Sequence, residues 1–121
     1  MVTIGIETKF DAAHYLPSYE GKCRNMHGHT WKLTVEIEPT YLNQKLKGMI
    51  LDFKEFKEVV NQVLDRLDHK VLNNMIDNPT CEAMVELIAG SLNFHLTPHH
   101  VRVKEVKLQE GEGGWARYEV R

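Results

Sequence analysis

Two runs near the start of the chain, 3–13 and 30–38, are rich in β-branched and aromatic side chains. In the second, Leu33, Val35 and Ile37 alternate with Lys32, Thr34 and Glu36. Successive side chains of a strand point to opposite faces, so this pattern predicts two half-buried strands paired antiparallel. From Asp52 the period lengthens to that of a helix. Phe53, Phe56, Val59, Val60, Val63, Leu64 and Leu67 fall on one face, opposite Lys54, Lys57, Glu58, Asn61 and Arg66. Asp52 is placed to cap the first free amides, and Glu55, three residues on, to reach back and complete a capping box. Asn78-Pro79-Thr80 marks the start of a second helix, whose apolar positions Met84, Leu87, Ile88, Leu92 and Leu96 recur every three or four residues. After His99 the alternation returns through Val101, Val103, Val106 and Leu108, and beyond Gly113-Gly114 a last short strand covers 115–120. The predicted order is ββααββ, an α+β fold with a four-stranded antiparallel sheet and two helices on one face. The other face and the strand edges need a cover, for which self-association is the expected solution.

Composition narrows the function classes. The 121 residues, 42% apolar and 26% charged, suit one domain over 1–121 with its own core. With 15 basic and 17 acidic residues the net charge is −2, which provides no footprint for tracking phosphates, so no nucleic-acid partner is expected. No segment has the apolar length of a membrane span, and the start Met1-Val2-Thr3-Ile4-Gly5-Ile6-Glu7 has no basic leader with a long apolar core. A cytoplasmic location and no membrane partner are the expectations. Cys23 and Cys81 are too few for a disulfide framework, and a lone cysteine near histidines points instead to metal or catalytic chemistry.

That chemistry concentrates in Cys23-Arg24-Asn25-Met26-His27-Gly28-His29, where the turn-rich stretch 16–25 runs into the second strand. His27 and His29 are two apart, so on a strand both project from one face. His14, at the end of the first strand, would be brought beside them by antiparallel pairing. Three neutral imidazoles suit zinc and leave its fourth position open, as in a catalytic site. Taken alone, a His-x-His pair is often only two polar side chains on a solvated strand. Cys23 could be the fourth ligand or a base beside the metal, and spacing does not separate the two. Asp68-His69 offers a carboxylate to orient an imidazole, or else a polar helix end where the dipole favours histidine.

Phe10-Asp11-Ala12-Ala13-His14, Cys23-x-x-x-His27-Gly28-His29, Leu67-Asp68-His69, Asn78-Pro79-Thr80-Cys81-Glu82 and Val106-Lys107-Leu108-Gln109-Glu110 resemble, in order, the hallmark segments of the 6-pyruvoyl-tetrahydropterin synthase family. The resemblance covers nearly the whole chain. It implies a tunnelling fold, in which trimers close their sheets into a barrel and two trimers stack into a hexamer with active sites between subunits. It implies His14, His27 and His29 as zinc ligands, and Cys23, Asp68 and His69 as the catalytic set, with Cys23 a base. It also implies Glu110 as the pterin anchor, with Thr80, Cys81 and Glu82 as further pterin contacts. Glu105, in the similar string Val103-Lys104-Glu105, is the rival anchor; counting back eight residues from Tyr118 favours Glu110. The family usually has threonine after this glutamate, where this chain has Gly111.

The three-residue gap between Cys23 and His27 resembles the 6-carboxy-tetrahydropterin synthases of 7-deazaguanine biosynthesis, whereas 6-pyruvoyl relatives have a longer gap. The resemblance therefore implies zinc-dependent conversion of 7,8-dihydroneopterin triphosphate to 6-carboxy-tetrahydropterin, with release of acetaldehyde and triphosphate. Zinc would polarise the side-chain oxygens and acidify the neighbouring C–H, while Cys23 and the Asp68-His69 pair move protons. The alternatives are 6-pyruvoyl-tetrahydropterin synthesis, a pterin aldolase, and a non-catalytic module held by structural zinc. Members that cleave dihydroneopterin commonly carry glutamate where this chain has Cys23. A purely structural zinc gives Cys23, Asp68-His69 and Glu110 no reason to coincide.

Overall fold

A computed structural model describes residues 1–120; Arg121, the last residue of the domain expected over 1–121, lies outside them. Strand β1 (Ile4–His14) pairs antiparallel with β2 (His27–Pro39), in a register that sets His14 opposite His27 and Phe10 opposite Trp31. Phe10, Ala12 and His14 on β1 and Trp31, Leu33, Val35 and Ile37 on β2 are buried on one face, while Lys9, Asp11, Gly28 and Thr30 are exposed on the other. The stacked Phe10 and Trp31 rings, 6.0 Å apart, and the Trp31 indole N–H donating to the Ala12 carbonyl pin this register.

Helix α1 (Phe53–Leu64) begins as expected, with the Asp52 carboxylate accepting from the Lys54 N–H at 2.7 Å. Its reciprocal partner does not form. Glu55 faces His99 instead, 3.6 Å away, so the start is a single cap and not a capping box. Phe53 is also half-exposed, because the first helical residue precedes the turn that lies on the sheet. The helix stops at Leu64, and Leu67 reaches the core from the following turns. Helix α2 (Cys81–Leu96) is capped by Thr80, whose hydroxyl accepts from the Ala83 N–H at 3.1 Å. It buries Met84, Ile88, Leu92 and Leu96 as expected, but Leu87 remains partly exposed and Val85 and Ala89 take the inner face beside them. It packs on β4 (Val101–Glu110) and β5 (Trp115–Glu119), with α1 beside it.

The expected four-stranded antiparallel sheet is corrected to five strands in a mixed sheet, ordered β3-β1-β2-β4-β5. The added strand, β3 (Lys70–Val71), runs parallel to β1 at Ala12 and Ala13. Two residues carry no periodicity, so nothing in the hydrophobic pattern announces it. It forms because His69 turns the chain in the left-handed region, φ 59°, and its N–H donates to the Asp11 carbonyl at 2.6 Å. His69 is therefore not a helix-end residue favoured by the dipole; it stands in the turn just before β3. The outer side of β1 before Ala12 and the outer side of β5 have no strand partner among the described residues, which leaves both sheet edges open. No helix of the described residues is long and apolar enough to cross a membrane.

Candidate functional site

Strand geometry assembles the histidines. His27 and His29 share one face of β2, the β1–β2 register adds His14, and the three ring centroids lie 4.6–5.3 Å apart. One ring nitrogen from each lies within 4.8 Å of the others. Main-chain carbonyls orient two of the rings. The Nδ1 of His14 is 2.8 Å from the Pro79 carbonyl, and the Nδ1 of His27 is 2.7 Å from that of Asn25. A carbonyl only accepts, so both Nδ1 atoms carry a proton, and in a neutral ring that leaves the lone pair on Nε2. Buried Nε2 atoms of His14 and His29 have no hydrogen-bond partner. Buried ring nitrogens left without a partner are costly, and a divalent cation meeting their lone pairs fits that need. Burial keeps the His29 pKa below its ordinary value; His27 and His14 push the same way and the Glu110 carboxylate opposes them. A neutral imidazole is the form that ligates a metal.

Glu110 closes one side of this cluster. It ends β4 on the helix-facing side, opposite Trp31, with its Oε1 3.4 Å from His14 Nε2. The rival Glu105 lies elsewhere in the sheet, paired with Arg117 at 3.4 Å. A β-bulge opposite the Glu36–Ile37 step falls at Lys104, just before Glu105, and the register from Glu105 to Glu110 is regular. Thr80 and Cys81 approach the same region from the start of α2, next to the Pro79 carbonyl that holds His14. The Cys81 thiol donates to the Leu108 carbonyl, and its pKa is pushed up to about 11, first by burial and then by Glu110. Glu82 is exposed in the first turn of α2.

Cys23 sits in a single 3-10 turn, Lys22–Arg24, and its carbonyl accepts from the Leu16 N–H, closing the loop that leads into His27. Its thiol is not part of the close histidine cluster. Asp68 and His69 form a separate group, with Asp68 Oδ2 3.0 Å from His69 Nδ1. The Asp68 carboxyl is held below its usual range, chiefly by the Asp11 N–H, with the hydrogen bond and charge of His69 adding to it. His69 lines an open cleft of about 520 Å³ with Asp11, Ala13, Gly28 and Thr30, on the side of the sheet turned away from the helices. Within one subunit, then, the imidazole of His69 and the histidine cluster lie on opposite sides of the β1–β2 ribbon.

The family model for 6-pyruvoyl tetrahydropterin synthase matches residues 3–121. The chain belongs to this family. A putative 6-carboxy-5,6,7,8-tetrahydropterin synthase of Archaeoglobus fulgidus is 38% identical over 93% of this chain and 91% of its own length. A dihydroneopterin monophosphate aldolase of Pyrococcus furiosus is also 38% identical, over 84% of this chain and 83% of its own. The 6-pyruvoyl tetrahydropterin synthase of Caenorhabditis elegans superposes with a TM-score of 0.81 at 24% identity, covering 99% of this chain and 96% of that one, a likeness of fold.

Where the family pattern has threonine, Gly111 adopts φ 61°, and a Cβ built there would lie 3.3 Å from His29 Nδ1. Glycine therefore both makes the turn and lets the backbone approach the histidine cluster. Sequence reasoning missed the carbonyls of Pro79 and Asn25, because main-chain acceptors leave no side-chain signature. It also assigned no role to Asp11, although Asp11 and Thr30 share a register and both face away from the core.

Proposed function

We propose that this chain is a zinc-dependent 6-carboxy-tetrahydropterin synthase, acting on 7,8-dihydroneopterin triphosphate in 7-deazaguanine biosynthesis. The observation that carries the reading is the three-histidine cluster, with His14 buried and the Nε2 atoms of His14 and His29 without a partner, beside Glu110, on a chain of this family whose cysteine stands four residues before the first histidine of the pair. His14, His27 and His29 would hold the metal. Zinc bound there supplies an electrophile that polarises the substrate's side-chain oxygens and raises the acidity of the adjacent C–H bonds.

The chain's own residues do the rest. Glu110 accepts hydrogen bonds from the guanidine-like edge of the pterin, and Thr80, Cys81 and Glu82 at the start of α2 border the ring. Cys23 takes a proton on one side of the side chain, and its absence from the histidine cluster supports a base over a fourth ligand. His69, oriented by Asp68, exchanges protons on the other. Because His69 faces away from the histidine cluster of its own subunit, the complete site is built where subunits meet. The open outer edges of β1 and β5 support a trimeric barrel closed by strand pairing, two of which would stack into a hexamer.

The aldolase relative from Pyrococcus furiosus supports a second reading, cleavage of a dihydroneopterin phosphate. Cys23 argues against it. Supplying dihydroneopterin triphosphate and dihydroneopterin monophosphate in separate reactions tests the choice by mass spectrometry of the pterin product. A 6-carboxy pterin from the triphosphate supports the proposal. A 6-pyruvoyl product, or a 6-hydroxymethyl product from the monophosphate, replaces it.

A further inference from the structure

The two open sheet edges match each other residue by residue. On β1 the Asp11 N–H donates to Asp68 Oδ1 and the Asp11 carbonyl accepts from the His69 N–H, so the main chain of Asp11 faces away from β2 and is already satisfied. Main-chain direction alternates along an antiparallel strand, so Lys9, Glu7 and Gly5 also point their N–H and C=O groups outward, with no strand partner among the described residues. On β5 the Gly114 carbonyl accepts from the Glu110 N–H, and the Val120 N–H donates to the Lys104 carbonyl. The even-numbered residues there face β4, which leaves Trp115, Arg117 and Glu119 facing outward. The five residues of β5 equal in length the free stretch 5–9 of β1.

From this match we propose that β5 of one copy pairs antiparallel with β1 of the next in a single register, with Trp115 opposite Lys9, Arg117 opposite Glu7 and Glu119 opposite Gly5. The inference deepens the between-subunit site described above and rests on that assembly. Both faces of the sheet agree with the register. On the helix side, Ile6 and Tyr118 are only partly covered by their own subunit, and the register lays them side by side. On the other side each edge carries a destabilising like-charge pair, Lys9 opposite Lys32 and Lys107 opposite Arg117. The register gives Arg117 the Glu7 carboxylate of the next copy and sets Lys9 against the uncharged Trp115. Sliding by two residues in one direction puts Arg117 on Lys9 and Glu119 on Glu7, with Trp115 on the filled edge at Asp11. Sliding the other way leaves Lys9 without a strand partner, and a slide of one residue turns every side chain to the wrong face. Pairing either edge with its own kind over its full length sets Glu7 on Glu7 or Arg117 on Arg117, so the edges select the head-to-tail contact from which rings are built. Continued past Lys9, the register brings the 111–114 turn of one copy against Asp68 and His69 of the next. That turn follows Glu110 and approaches His29 at Gly111.

Disulfide trapping in the zinc-loaded full chain tests the register. Directly opposed residues of an antiparallel pair lie within disulfide reach, and residues two positions off do not. β1 and β5 stand at separate edges of one sheet, so a bond between them links two chains. Thr8→Cys with Ala116→Cys is an opposed pair, and mild oxidation should yield covalent dimers and trimers on non-reducing gels, about tenfold or more above either single variant. Ile6→Cys with Tyr118→Cys is a second opposed pair, which should behave alike and stands in if the first fails to assemble. Thr8→Cys with Tyr118→Cys, and Ile6→Cys with Ala116→Cys, are each off by two residues and should stay at the level of the single variants. Cross-linking in an off-register pair without cross-linking in the opposed pairs overturns the proposal, and so does its absence from all four. Product identity is read separately. A linked ring that forms a different pterin refutes the function proposed above and leaves the register standing, whereas a 6-carboxy product with no opposed cross-link does the reverse.

Discussion

Replacing Glu110 with glutamine removes one charge while keeping the shape of the side chain. Glu110 is 31% exposed and lies 3.4 Å from His14 Nε2, so it borders the histidine cluster from a partly desolvated position. A charge-assisted hydrogen bond to the pterin from such a position contributes about 1.5–3 kcal/mol, so Glu110→Gln should weaken substrate binding by about ten- to a hundred-fold. The structure supplies a second readout that needs no substrate. Glu110 is the second cause, after burial, of the raised Cys81 pKa of about 11, so losing its charge should lower that pKa and speed alkylation of Cys81 at alkaline pH. Zinc content should stay the same, because the three imidazoles are untouched. Substrate affinity by calorimetry and thiol reactivity by mass spectrometry read the two effects independently. Glu105→Gln is the matched control, since that side chain pairs with Arg117. Lost binding in the Glu105 variant with normal binding in the Glu110 variant would refute the reasoning and move the pterin pocket to another part of the strand.

Other substitutions probe separate parts of the account. Cys23→Ala should keep its zinc and bind pterin while turnover falls by about a hundred-fold or more, measured by metal analysis and single-turnover kinetics; a parallel loss of zinc would make Cys23 a ligand. Cys81 titrates higher in the folded chain than its ordinary value of 9.0, so the unfolded chain gives up this proton first as pH rises. The thiol's contribution to stability is complete below pH 9 and should be lost between pH 9 and about 11; Cys81→Ser should flatten that part of a denaturation series against pH. Gly111→Ala forces a Cβ into a left-handed turn 3.3 Å from His29 Nδ1, and should cost about 1 kcal/mol, a fall in Tm of about 4 °C by calorimetry.

The fold was legible where one face of an element is buried and the other is wet. The inner face of α1, the alternation in β2 and the Asp52 cap could all be read directly, because burial and backbone satisfaction impose a period or a residue type. α2 was less clear: nearly apolar through its middle, it left spacing unable to say that Val85 and Ala89 face the core while Leu87 does not. β3 was invisible, since two residues added to an edge obey a turn and a carbonyl rather than a pattern. The histidines were legible for the opposite reason. Strand parity fixes His27 with His29, and any antiparallel pairing that turns through the Cys23 loop brings His14 close. What no residue pattern conveys is the main-chain support: Pro79 and Asn25 set the tautomers, and Asp11 holds Asp68 and His69 through its own backbone.

Reconstitution of the metal-free protein with zinc tests the central claim most directly. Stripped protein titrated with zinc, with 6-carboxy-tetrahydropterin formed from dihydroneopterin triphosphate followed at each step, should gain activity linearly and saturate at one zinc per chain. His27→Ala under the same titration should take up no stoichiometric zinc and form no product. Product formation by the metal-free chain, or full zinc occupancy in the His27 variant, would contradict a catalytic centre built on His14, His27 and His29.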